Sequence, residues 1–64
     1  MMWLIYHPYA GWQVITTEEL KQKIHDGATN QQIWRLVADG RQPECRWIDN
    51  YGLVRDIFGN VEVI

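Results

Sequence analysis

Sixty-four residues make one small domain, 1–64, with no room for a second core. With 47% hydrophobic and 22% charged residues the chain is globular in composition and not disordered. Eight acidic residues against six basic ones give a net charge of −2, which disfavours a domain living on phosphate contacts and makes nucleic acid a poor partner.

Met2-Trp3-Leu4-Ile5-Tyr6 is aromatic and β-branched and predicts a strand. His7-Pro8-Tyr9-Ala10-Gly11 carries the Pro and Gly of a turn, and Trp12-Gln13-Val14-Ile15 returns as a second strand. The clearest signal follows. Thr16 and Glu19 form a capping box, with Ile15 and Leu20 placed for a hydrophobic staple. Glu18 and Glu19 suit the positive start of a helix, Lys21, Lys23 and His25 suit its end, and Gly27 supplies a left-handed stop. The spacing predicts a helix over 17–26, with a thin apolar stripe of Leu20 and Ile24.

Residues 29–40 can be read two ways. Thr29-Asn30-Gln31-Gln32 offers a second capping box, and Ile33, Leu36 and Val37 have helical spacing. Helices at 17–26 and 30–38 would then form a helix-turn-helix, with Gln31, Gln32 and Arg35 facing base edges and the tail as a β wing. The favoured reading is a strand, because Ile33-Trp34-Arg35-Leu36-Val37 is strand-like and Asp39-Gly40 signals a hairpin. Cys45-Arg46-Trp47-Ile48 pairs back on it, Asn50-Tyr51-Gly52 turns, Leu53 to Phe58 extends, Gly59-Asn60 turns, and Val61–Ile64 closes. The expected class is α+β: a β-hairpin, one helix and two more β-hairpins in a small antiparallel sheet with the helix on one face. No linker, low-complexity tract or internal repeat is visible.

The order of residues is also familiar. Trp3, then Thr16, Glu19, Leu20, Ile24 and Gly27, then Trp34, Gly40 and Trp47 resemble the bacterial GYF-like domains over residues 3–47. The stretch Thr16 to Gly27, with Lys21-Gln22 inside it, is similar to the helix of paratox-type prophage proteins. The first resemblance implies a small α+β module that binds peptides or proteins without catalysis. The second implies an accessory protein that seizes a host regulatory protein.

Residue chemistry gives little support to an enzyme. The chain has no serine, no phosphate loop and no His-Glu-x-x-His segment. Cys45 could act as a nucleophile only with His7 or His25 as an oriented base, and a half-buried packing cysteine is the better reading. One cysteine and two histidines do not complete a structural metal site, so no metal and no cofactor is expected. The longest apolar run, Met1 to Tyr6, is far short of the roughly 18 residues needed to span a bilayer. With no export signal and a lone cysteine, a cytoplasmic setting is expected.

Tryptophan occupies four positions of 64, and no disulfide is available to staple the fold. At least two of the four are expected in the core. One thin helix cannot cover both faces of a sheet, so some of Trp3, Tyr6, Tyr9, Trp12, Trp34 and Trp47 should face water. Trp34-Arg35 and Arg46-Trp47 would lie close together if their strands pair. The candidate partner-binding set is therefore Trp3, Tyr9, Trp12, Trp34, Arg35, Arg46 and Trp47, residue types that dominate binding hot spots. The expected partner is a protein; homodimerisation through the Met2–Tyr6 or Val61–Ile64 run stays open.

Overall fold

Met2–His7 forms β1 and Gly11–Thr16 forms β2, paired antiparallel from Met2↔Thr16 to His7↔Gly11 without a bulge. The loop between them closes on His7, whose Nδ1 accepts from the backbone N–H groups of Tyr9 and Ala10 at 3.1 and 3.2 Å. Helix α1, Thr17–His25, starts at the expected capping box: Glu19 N–H donates to Thr16 Oγ1 at 3.1 Å and Thr16 N–H to Glu19 Oε1 at 3.0 Å. It ends at Gly27, which takes a φ of 100°. There Gly27 N–H donates to the Ile24 carbonyl and Ala28 N–H to that of Lys23, the paired bonds of a Schellman stop.

The structure, a computed structural model, describes residues 1–38 and 40–64. After α1 come β3 (Gln31–Leu36), β4 (Glu44–Ile48), β5 (Val54–Arg55) and β6 (Val61–Glu62). All six strands belong to one antiparallel sheet in the order β2-β1-β3-β4-β5-β6. The helix thus carries the chain over β1, from the strand on one side of it to the strand on the other. One helix on an antiparallel sheet is the expected α+β class.

Four readings of the sequence need correction. Gln31–Leu36 is a strand, so the second helix over 30–38 does not form; Asn30 takes a φ of 55° where that helix would begin. The segment carries Ile33 and Trp34 at its centre, and pairing on both sides with β1 and β4 overrides the helical spacing. The Met2–Tyr6 run is not an edge, because β1 lies between β2 and β3. Leu53 to Phe58 is extended only at Val54–Arg55. Of the Asp39-Gly40 turn, Asp39 lies outside the described residues, and Gly40 has the positive φ, 70°, of a turn glycine.

The fourth correction concerns repeats. Asp49-Asn50-Tyr51-Gly52-Leu53 and Asp56-Ile57-Phe58-Gly59-Asn60 are the same loop, seven residues apart. In each, the aspartate Oδ1 accepts from the backbone N–H groups two and four residues ahead, at 2.8 to 2.9 Å. Each aspartate N–H also donates to the carbonyl four residues on, and each glycine N–H to the aspartate carbonyl. Arg55 joins the two loops, its Nε on Asp49 Oδ2 and a terminal nitrogen on the Gly59 carbonyl, both at 2.8 Å.

The core lies between α1 and one sheet face. Trp3, Ile5, Ile15, Leu20, Ile33, Ile48 and Val54 are buried, with Ile24, Ala28 and Ile64 packed around them. Trp3 is 1% exposed, and its indole N–H donates to Thr17 Oγ1 at 2.9 Å, fastening the sheet to the first turn of the helix. Only Trp3 of the four tryptophans is in the core, not the two or more expected from the sequence; branched aliphatic residues supply the rest.

Two outcomes are expected from this packing. Trp3→Ala removes the largest buried side chain at a cost of about 3–5 kcal/mol, the scale of the whole stability of a domain this size, so its far-UV circular dichroism should be that of a largely unfolded chain. The second concerns acid. The Arg55 guanidinium and backbone N–H donors hold the Asp49 carboxyl below its usual value, and backbone donors do the same for Asp56. The unfolded chain therefore binds more protons on acidification. The stabilisation is complete above the ordinary carboxylate pKa of about 4 and is lost as pH falls through the depressed values. The urea midpoint should fall from neutral pH to pH ~3, and Asp49→Asn should start lower at neutral pH and fall less.

Candidate functional site

Alternation along the strands separates two chemically different faces. The registers Trp3↔Ile15 and Trp3↔Arg35, then Arg35↔Glu44, place the core and the charged residues of β3 and β4 on the helix side. The intervening positions form the other face, which no helix among the described residues covers. Its central row runs Val14, Leu4, Trp34, Cys45 across four strands, with no charged side chain in it. Tyr6 and Trp12 sit side by side on β1 and β2, their rings edge-on with centroids 5.4 Å apart. Trp47 lies on the same face, between Gln32 and Arg55.

Exposure follows from this geometry. Trp12 is 54% and Trp47 45% exposed, while Trp34, in the middle of the row, is half-buried by its neighbours. Tyr6 and Val14 are exposed as well. Scattered exposed apolar side chains are ordinary, but a contiguous aromatic face on a monomer is not.

The seven residues singled out from the sequence do not form one site. Trp12, Trp34 and Trp47 share the open face. Trp3 is in the core and is withdrawn from the set, because its register with Ile15 turns it toward the helix. Tyr9 is 96% exposed at the tip of the β1–β2 loop, its ring tilted against His7 with centroids 5.9 Å apart. Arg35 and Arg46 point to the helix side, away from the tryptophans beside them, since adjacent strand residues face opposite ways. Tyr6 belongs to the site by its place in the aromatic pair, a place visible only once Tyr6↔Trp12 is known.

The arginines have another task. Glu62 on β6 bonds both of them, Arg46 Nε to its Oε1 at 2.7 Å and Arg35 to its Oε2. Glu44 lies 3.8 Å from Arg35 and 3.6 Å from Arg46. Arg35 also stacks over the Trp3 ring, 4.9 Å from its centroid. The guanidinium plane thus roofs the core where the helix does not reach, and the last strand is held by its own carboxylate.

Among the described residues the cysteine and the two histidines stand apart. Cys45 is half-buried on the open face, where Gln32 Nε2 approaches its sulfur, whereas His25 is on the helix and His7 Nδ1 is engaged by its own loop. Two shallow clefts of about 350 and 310 Å³ flank α1, and Cys45 lines neither. Among the described residues no three His, Cys, Asp or Glu side chains gather at one point. No described helix is long and apolar enough to cross a membrane.

Comparison with protein-family models, curated proteins and solved structures finds no match to this chain. The resemblances to GYF-like domains and paratox-type proteins rest on the quoted residues alone.

The ion cluster makes a contrast that can be measured. Glu62→Gln leaves two mostly covered arginines without their shared carboxylate and should cost about 2 kcal/mol in chemical denaturation. Glu18→Gln removes an exposed helix-surface pair with Lys21 and should change stability by less than about 0.5 kcal/mol.

Proposed function

We propose that this chain is a non-catalytic protein-binding module that presents its open sheet face to a protein partner, with Tyr6, Trp12, Trp34 and Trp47 as the contact residues. The observation that carries this reading is the contiguous aromatic and aliphatic face left on the side of the sheet opposite the helix. Such surface is costly to leave in water, and tryptophan and tyrosine are the residues from which binding hot spots are built. The central row without charge favours an apolar patch on the partner.

The narrower reading is an accessory protein of a prophage or other mobile element that occupies a host protein. It draws on the resemblance of Thr16–Gly27 to paratox-type proteins and on the small size of the domain.

Retention from a bacterial lysate on immobilised protein tests the reading. A specific partner should be held by the wild type and by Lys21→Ala, a change on the helix surface. Trp47→Ser should weaken it by about 30-fold or more, the size of a hot-spot loss. Equal retention by Trp47→Ser would overturn the assignment of the open face.

A further inference from the structure

The two ends of the sheet are not alike. At one end β6 has only two residues, one of them Glu62, and its shortness limits what can pair with it. At the other end β2 is six residues long, Gly-Trp-Gln-Val-Ile-Thr, with no charge, no proline and no bulge. Its pairing with β1 uses one side of the strand, and among the described residues no strand pairs with the other. Edge strands in soluble proteins are usually guarded by one of the features β2 lacks. Trp12 and Val14, both more than half exposed, stand on the open face at this edge.

We propose that β2 is a self-association edge, at which β2 of a second copy of this chain adds antiparallel. The two sheets of six strands then become one continuous sheet. Faces match only where paired residue numbers sum to an even value, because alternation must put core positions on one side in both copies. Pairing centred on Gln13 satisfies this: Gln13 meets its own copy and Trp12 meets Val14. The glutamine amide both donates and accepts, so it is complementary to itself across a two-fold axis. The chain's net charge of −2 opposes association weakly, but β2 brings no ionisable side chain to the contact. An edge without charge has nothing to select an acidic or basic peptide, and the two-fold pairing favours the second copy as its occupant. Both helices lie on one side of the joined sheet, and the two open faces become a single face of twice the width.

This inference rests on the edge and its register, not on the proposed partner. Sedimentation equilibrium from micromolar to millimolar concentration should show the mass rising from 7.6 kDa toward twice that value. Hydrogen exchange should show added protection in β2 at the higher concentration. Val14→Lys and Val14→Glu should each weaken the dimer by about tenfold or more, because the two copies of residue 14 are diagonal neighbours across the axis. Mixing the two variants should restore a dimer, which unfolded variants could not do. Trp47→Ser, on β4, should leave the dimer constant unchanged while lowering partner retention, so the two proposals can fail separately. A wild type monomeric throughout, a dimer lost in Trp47→Ser and kept in Val14→Lys, or association without protection in β2 would each overturn it.

Discussion

A nine-residue helix is about 14 Å long, whereas six strands spaced about 4.8 Å apart span roughly 24 Å between the outermost two. That mismatch governs the rest of the molecule. The helix packs on β1 and β2, where Trp3, Ile5 and Ile15 meet Leu20. Beyond its reach the covered face has to be closed by other means. Arg35 lies over Trp3, Glu62 draws Arg35 and Arg46 together, and Gly52 brings the β4–β5 loop so near the helix that a Cβ there would sit 2.9 Å from Ile24 Cγ2. Among the described residues no second layer covers the opposite face, and the exposure of its aromatic residues follows from that.

The same constraint sorts the tryptophans. A core this thin holds one of them, fixed at both ends: the indole N–H is satisfied by Thr17 and the ring is capped by a guanidinium. Trp12, Trp34 and Trp47 fall on even or odd positions that the register sends to the other side. About half of Trp12 and of Trp47 stays in water, and that is the surface the proposed partner would cover.

Much of the local structure was legible because its causes are local. Thr16 with Glu19 and Gly27 with the residues before it fixed both ends of α1 to within a residue of the expected span. The strand preference of 33–37 also outweighed the second capping box, although the strand begins and ends earlier than expected, at Gln31 and Leu36. Strand order was not legible: β1 sits inside the sheet because β3 returns beside it, and nothing in the alternation of Met2–Tyr6 encodes its second neighbour. The candidate site was legible in part for the same reason. Adjacent residues such as Trp34 and Arg35 must face opposite ways in a strand, but which face is covered depends on the crossover. Asp49 and Asp56 were within reach of a sequence reading, since Asp-x-aromatic-Gly occurs twice at the same spacing.

That spacing has a geometric consequence. The register of β5 with β6, Val54↔Glu62 and Arg55↔Val61, pairs residues an even number apart, so residues seven apart fall on opposite faces and the second unit is turned over relative to the first. Val54 and Val61 occupy equivalent places in their units, yet Val54 is 3% exposed against the core and Val61 is 49% exposed on the far side. The inversion is what brings Glu62, the counterpart of Arg55, under the sheet to meet two arginines, while Arg55 stays on top. Two like segments therefore serve opposite faces: Glu62 closes the core, while Arg55 stands beside Trp47 on the open one.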